Sequence, residues 1–153
     1  MEKHILDFKE NNIYKENNLP ANEDEKIIYI FRDTSDKDEK TWIIHEILYI
    51  GESTNAEDRL NSSHEKIPLA HEKLNKGHFL TFTYHRFNGN TSENTIRAIE
   101  NALIAKHKPV LNNQNKKEYH FEKYPEIEIV CVGPRSTLLE KDFTFEKNKK
   151  WWF

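Results

Sequence analysis

Residues 41–60 read TWIIHEILYIGESTNAEDRL, and they predict a strand, a break and the start of a helix. The first ten of them are mostly β-branched or aromatic, which favours a strand. Gly51 interrupts this run. Thr54 and Glu57 then have the spacing of a capping box, which marks the N-terminus of a helix. A strand therefore leads directly into a helix that carries Arg59.

Four strands are predicted along the chain. The stretch just described begins with one, at Thr41–Ile50. Lys26–Asp33 is also β-branched and aromatic, and it pairs with that strand in a hairpin whose tip is the acidic segment Asp33–Lys40. Alternating apolar residues predict the other two strands at His78–Phe87 and Glu126–Val132.

Helices are predicted between and before these strands. Apolar positions scattered among charges favour a short helix within residues 1–20. After the helix of Arg59, Pro68 interrupts the chain and a second helical piece ends near Gly77. Asn90 then fits the first position of a capping box and opens a helix that ends near His107.

The composition indicates one folded domain, residues 1–153, with no membrane span. Nine Phe, six Tyr and three Trp supply bulk for a core. The longest apolar run, Ile27–Phe31, is too short to cross a bilayer, and the charged N-terminal residues lack the apolar stretch of a signal peptide. Cys131 is the only cysteine, which excludes a disulfide framework and a Cys-rich zinc site. We expect a cytoplasmic protein without a membrane partner.

The net charge of −3 conceals a gradient along the chain. Residues 1–46 carry a net charge of −5, whereas residues 101–153 carry +3. A surface that binds a polyanion should therefore draw mainly on the C-terminal third, which ends in a basic and aromatic tail.

Glu100 is the most informative charged residue in the predicted helices. It lies four residues after Ile96 and four before Ile104, at the edge of the apolar stripe of the helix that Asn90 opens. A carboxylate in that position must be paired, protonated or bound to a cation. A salt bridge to Arg97, to Lys106 or to an arginine distant in the sequence is the structural alternative to a cation site.

Tyr29 and Tyr49 form the second candidate group. On the two strands of the hairpin, they can present two phenols at one end of the sheet. Gly51 follows Tyr49 at the strand end, where a glycine permits close approach of the backbone to a ligand. The structural alternative is a pair of half-buried sheet aromatics.

These residues belong to five short motifs that occur in the same order in one enzyme family. The chain resembles the GIY-YIG nuclease domain over residues 26–115, and the remaining residues, an N-terminal helix within 1–20 and a C-terminal strand with its tail in 116–153, are additions. The motifs are Ile27-Ile28-Tyr29, Tyr49-Ile50-Gly51-Glu52-Ser53, Ala56-Glu57-Asp58-Arg59-Leu60, Glu100-Asn101-Ala102-Leu103-Ile104 and Lys108-Pro109-Val110-Leu111-Asn112.

The resemblance implies a mixed α+β fold in which helices flank a small antiparallel sheet of three core strands. It also implies an endonuclease that hydrolyses phosphodiester bonds, with duplex DNA as partner and one Mg²⁺ or Mn²⁺ ion as cofactor. Carried over by position, Tyr29 and Tyr49 are the motif tyrosines, Arg59 is the helix arginine, Glu100 is the metal ligand, and Asn112 is the late asparagine that fixes the active-site loops.

The chain departs from the family pattern at three places. Ile27 replaces the first-motif glycine, and the 19 residues between Tyr29 and Tyr49 make a longer hairpin than is usual. The family often has a histidine one turn after the arginine. In this chain His64 comes one residue later than that step and His71 lies further on, so the histidine assignment stays open.

The resemblance also implies roles in catalysis. Glu100 would hold the metal against the phosphate, and Arg59 would present its planar guanidinium to the same group. Tyr29 would orient or deprotonate the attacking water, with Tyr49 assisting. A phenol is a poor base near neutral pH, so His64 or His71 is the alternative base.

Three biological roles remain open for such a domain. A chain of this size resembles the small restriction endonucleases of the family. The alternatives are a structure-specific nuclease or a nuclease of a mobile element or phage, and a GIY-YIG-like module that binds nucleic acid without cutting it. Cleavage of RNA also stays open.

Overall fold

The computed structural model describes residues 1–8, 10–13, 25–53, 65–133 and 138–147. They form a mixed α+β fold with two sheets and two α-helices. In chain order the elements are β1 (Glu2–Asp7), β2 (Glu10–Ile13), β3 (Ile27–Asp36), β4 (Trp42–Ser53), α1 (Lys66–Lys73), β5 (Phe79–Arg86), α2 (Glu93–His107), a 3₁₀ helix (Gln114–Lys117), β6 (Ile127–Val132) and β7 (Asp142–Phe145).

The first sheet is antiparallel and has the strand order β2-β5-β3-β4. Its three long strands β5, β3 and β4 are the core that the sequence predicts, and the short β2 adds an edge. Tyr29, near the start of β3, pairs with Gly51 on β4 and with Tyr84 on β5. Two register shifts between β3 and β4 lie beyond this point, towards the hairpin tip. The sheet thus brings the first two motifs side by side.

The second sheet has the order β1-β6-β7 and is mixed. Strand β1 runs parallel to β6, whereas β6 and β7 are antiparallel. The predicted C-terminal strand is β6, but it pairs with the N-terminus rather than joining the core sheet. Strand β7 was not predicted from the sequence.

The prediction of an N-terminal helix within residues 1–20 is wrong where the structure describes that segment. Residues 2–7 and 10–13 form β1 and β2, and residues 14–20 lie outside the described part. Leu6 and Phe8 are buried while Ile5 is 62% exposed, which is the alternation of a strand. The pairing of Leu6 with Cys131 spans most of the chain, so the local pattern could not reveal it.

The core sheet is covered on both faces. One face carries Ile28 and Ile30, which pack with α2 and with the apolar side chains of the second sheet. The opposite face carries Tyr29 and Phe31, which pack with α1. Among the described residues, no helix is long and apolar enough to cross a membrane.

The start of α2 and the position of Pro68 relative to α1 differ from their predictions. Helix α2 begins after Ser92 instead of Asn90, because the Ser92 hydroxyl oxygen accepts a hydrogen bond from the Thr95 backbone N–H at 3.2 Å. Pro68 does not interrupt α1, since it lies in the first turn, where its missing N–H is not needed. The predicted helix that carries Arg59 lies outside the described residues.

Candidate active site

Gly51 allows the Tyr29 ring to lie across the end of β4. A Cβ atom at this glycine would stand 2.5 Å from the Tyr29 hydroxyl oxygen and 2.9 Å from the ring of Tyr49. The two tyrosine rings are 6.1 Å apart, centre to centre, and both are buried. The hydroxyl end of Tyr29 is therefore fixed beside the backbone of the Tyr49-Ile50-Gly51 motif.

We predict that Gly51→Ala lowers the free energy of unfolding by about 1–3 kcal/mol, because the new methyl group overlaps the buried Tyr29 ring. Gly89→Ala is the matched control, since a Cβ atom there meets nothing within 4 Å. Urea unfolding of both variants checks this prediction. Equal stability of the two variants would show that the Tyr29 ring has room to move.

Glu100 approaches the same end of β4 from the other face of the sheet. The Glu100 residue is 7% exposed, and its Oε1 accepts a hydrogen bond from Lys116 Nζ at 3.2 Å. The backbone N–H of Glu52 also donates to its carboxylate. Gly51 and Glu52 are consecutive, so Tyr29 and Glu100 contact neighbouring residues of β4 from opposite faces of the sheet.

Burial raises the pKa of Glu100 above its ordinary value of 4.5. The ion pair with Lys116 and the hydrogen bond from Glu52 oppose this shift, while the charge of Glu52 adds to it. Burial is the larger effect. The site thus holds a carboxylate whose charged form would be stabilised by an additional cation.

Asn101 builds the loop that carries Lys116. Its Nδ2 donates to the carbonyl oxygens of Lys116 and Glu118, both at 3.0 Å, and its Oδ1 accepts from the His120 N–H at 2.9 Å. His120 Nε2 in turn contacts the carbonyl oxygen of Asn115 at 2.7 Å. Asn101 therefore fixes this loop against α2 and sets Lys116 beside Glu100.

We predict that Asn101→Asp destabilises the protein by about 2–4 kcal/mol. The change removes two buried donors and places a carboxylate against the carbonyl oxygens of Lys116 and Glu118. Asn115→Asp is the control, because that side chain is exposed. Thermal unfolding of both variants is the measurement, and an equally small effect in both would mean that Asn101 does not order the loop.

Asn112 holds the segment after α2 against the edge strand. Its side chain accepts from the Ile50 N–H at 3.0 Å and donates to the Ile50 carbonyl oxygen at 2.8 Å. The neighbouring Leu111 N–H donates to the carbonyl oxygen of Leu48 at 3.0 Å. Because Asn112 uses its amide in this way, it acts on the position of β4 rather than on a ligand.

A cleft of about 430 Å³ opens beside Glu100. Three cationic side chains, Arg97, Lys116 and Lys123, and two carboxylates, Glu52 and Glu100, line it. The cations outnumber the carboxylates, so the cleft has a positive balance although the whole chain is acidic. An anion with several oxygen atoms fits this charge pattern.

The other predicted site residues are only partly placed. Arg59 and His64 lie outside the described residues. His71 is exposed on α1, whereas Glu100 belongs to α2, and the two helices cover opposite faces of the core sheet. The structure therefore does not bring His71 into the Glu100 cleft.

Sequence reasoning missed Asn101, Lys116 and Lys123. Asn101 had one detectable signal, because it is a second polar residue beside Glu100 in an otherwise apolar helix face. Lys116 had none, since its place depends on a loop that folds back onto α2. The expected ion-pair partners of Glu100 were Arg97, Lys106 or a distant arginine, but the partner is Lys116.

The described residues contain no group of three or more His, Cys, Asp or Glu side chains that could hold a metal ion. Glu100 and Glu52 are the carboxylates that the cleft offers to a cation. No family model, curated protein or solved structure matches the chain.

Proposed function

We propose that the protein is a metal-dependent endonuclease that hydrolyses phosphodiester bonds of DNA, in the manner of the GIY-YIG nucleases that its motifs resemble. The observation that carries the proposal is the buried Glu100 carboxylate in a cleft of cationic side chains, next to the strand end that fixes Tyr29. The motifs of Tyr29 and Tyr49 are neighbours in the core sheet, and Glu100 lies against Glu52 of the second motif.

The charges of the cleft suit a nucleic-acid backbone. Arg97, Lys116 and Lys123 offer donors to phosphate oxygens, and such contacts supply much of the affinity of proteins for DNA. The Lys116 side chain is 51% exposed, so it can leave Glu100 and turn to a phosphate. Arg59, on the predicted helix after β4, would add its guanidinium to the same group.

The donor set fits Mg²⁺ or Mn²⁺. Mg²⁺ keeps several water ligands and binds through one or two carboxylates together with substrate phosphates, which is what Glu100 and Glu52 can provide. When bound, the ion would supply positive charge for the phosphate oxygens. Glu100 would hold the ion, because a nearby cation would offset the cost of burying its charged carboxylate.

Tyr29 would position the attacking water. Its ring is held by Gly51 and by contacts with Tyr49 and Phe31, so its hydroxyl has a defined place at the strand end. A fixed hydroxyl suits orientation of water, and His64 or Tyr29 itself would take the proton. Asn112 would act through Ile50 by fixing β4.

The role of a site-specific restriction endonuclease is one form of this proposal. A structure-specific nuclease, or a nuclease of a mobile element or phage, uses the same chemistry on a different target. A non-catalytic module that binds nucleic acid would need the cations of the cleft but not Glu100, whose burial costs stability. That cost favours an enzyme.

Plasmid DNA tests the proposal. The purified protein should convert supercoiled plasmid to nicked or linear forms with Mg²⁺ and leave it intact with EDTA. Sequencing of the cut ends shows whether the protein recognises a specific DNA sequence. A labelled RNA of matched sequence tests RNA as the alternative substrate. Binding of DNA without cleavage under any of these conditions would instead identify a binding module.

A further inference from the structure

Arg32 is a second unusual charged residue, and it lies in the core sheet away from the Glu100 cleft. It follows Ile30 on the face of β3 that carries Ile28, and it is fully buried. Its Nε donates to the Thr81 hydroxyl at 3.3 Å. Its Nη1 and Nη2 atoms have no hydrogen-bond partner within the described part of the chain.

The hydroxyl groups around Arg32 do not satisfy the guanidinium. Thr81 and Thr34 hydrogen-bond to each other at 2.7 Å. Thr83, which follows Thr81 on the same face of β5, has a buried hydroxyl that also lacks a partner among the described residues. Two guanidinium nitrogens and one hydroxyl are therefore grouped on one face of the sheet.

The nearest carboxylate on the strand is engaged elsewhere. Asp33 is the next residue after Arg32, so its side chain points to the opposite face of the sheet. There Asp33 Oδ1 contacts His78 Nδ1 at 2.6 Å. Asp33 therefore does not compensate the charge of Arg32.

A buried guanidinium whose two Nη atoms lack acceptors is costly. Burial lowers the pKa of Arg32 to about 10, which still leaves the side chain charged near neutral pH. Buried charges in proteins are almost always paired, and the planar fork of an arginine matches two oxygens of a carboxylate or phosphate. The pairing of β3 with β4 also shifts register on both sides of Arg32 and Asp33, and such irregularities are enriched next to functional sites.

We propose that Arg32 and Thr83 form a binding site for a small oxyanion, which the two Nη atoms grip side by side while the Thr83 hydroxyl donates to it. Full burial of Arg32 limits the ligand to a small one, such as phosphate or a short carboxylate. The site is separate from the Glu100 cleft, which neither residue lines. It would stabilise the fold and make stability depend on the anion.

Thermal unfolding in different anions tests this proposal. After exhaustive dialysis against chloride, wild-type protein is titrated with inorganic phosphate and, in a second series, with acetate, both at constant ionic strength. We expect Tm to rise by about 3–6 °C at ten times the dissociation constant of the preferred anion. The two series distinguish a phosphate ligand from a carboxylate.

Three variants make the test specific. Arg32→Met should be at least as stable as wild type in chloride and should not respond to either anion, because an apolar side chain replaces an unpaired charge. Thr83→Val should respond more weakly than wild type and keeps the test decisive if Arg32→Met does not fold. Arg86→Met is the matched control, since Arg86 is half-exposed and pairs with Glu25, and it should respond like wild type.

Several outcomes would overturn the proposal. An equal rise in Tm for wild type and Arg32→Met would mean a general effect of excluded salt. The absence of any rise in wild type would mean that no such site exists. A large loss of stability of Arg32→Met in chloride would mean that a group of the chain itself already pairs with the guanidinium.

Discussion

Replacement of Glu100 by Gln should slow Mg²⁺-dependent DNA cleavage by at least about a hundredfold, the loss that follows removal of one electrostatic stabiliser from an active site. Gln keeps the shape of the side chain and its contact with the Glu52 N–H. It removes the charge that would hold the metal. Single-turnover rates with saturating protein isolate the chemical step from DNA binding.

The same variant should become relatively more stable as pH rises. Because burial places the folded-state pKa of Glu100 above 4.5, the stability it contributes is complete below that value and is lost as pH rises through the folded pKa. Gln does not titrate. The difference in free energy of unfolding should therefore move in favour of Glu100→Gln as pH rises above about 4.5.

Glu72→Gln is the matched control for both measurements, because Glu72 is exposed on α1, on the far side of the core sheet. It should cleave DNA like wild type. If Glu100→Gln also cleaves at the wild-type rate, Glu100 serves only as the ion-pair partner of Lys116.

Tyr29→Phe should lower the single-turnover rate by about a hundredfold, the lower part of the range for a group that acts on a proton or water in the transition state. DNA affinity should stay nearly unchanged, because the hydroxyl acts in the reaction and not in docking. The ring itself still fills the space beside Gly51.

Tyr84→Phe is the control for this second prediction. Tyr84 pairs with Tyr29 across β3 and β5, is equally buried and accepts a hydrogen bond from Arg86 at 2.7 Å. Loss of the Tyr84 hydroxyl should change the free energy of unfolding but not the single-turnover rate. Equal rates for Tyr29→Phe and wild type would remove Tyr29 from the mechanism.

Local patterns in the sequence predicted the parts of the fold that local physics determines. The long apolar strands β3, β4 and β5 and the helix of Glu100 were found because their periodicity and turn residues are strong. The burial of Glu100 followed from its place between Ile96 and Ile104. These elements also carry most of the described candidate site.

Contacts between distant segments were not predictable in the same way. Strand β1 looked helical because its partner β6 lies more than a hundred residues away in the sequence. Lys116 reaches Glu100 only because Asn101 binds the loop that follows α2. The burial of Arg32 without a charged partner among the described residues could not be predicted either, since an arginine in a strand is ordinarily exposed.

Binding of Mn²⁺ in the presence of a short DNA duplex tests most directly whether the Glu100 cleft is a metal-dependent nuclease site. Mn²⁺ can be followed by the loss of the free-ion signal in electron paramagnetic resonance, with wild type, Glu100→Gln and Glu72→Gln compared side by side. We predict that wild type and Glu72→Gln bind one Mn²⁺ ion together with DNA and that Glu100→Gln does not. Equal Mn²⁺ binding by Glu100→Gln and wild type would contradict the assignment of Glu100 as the metal ligand.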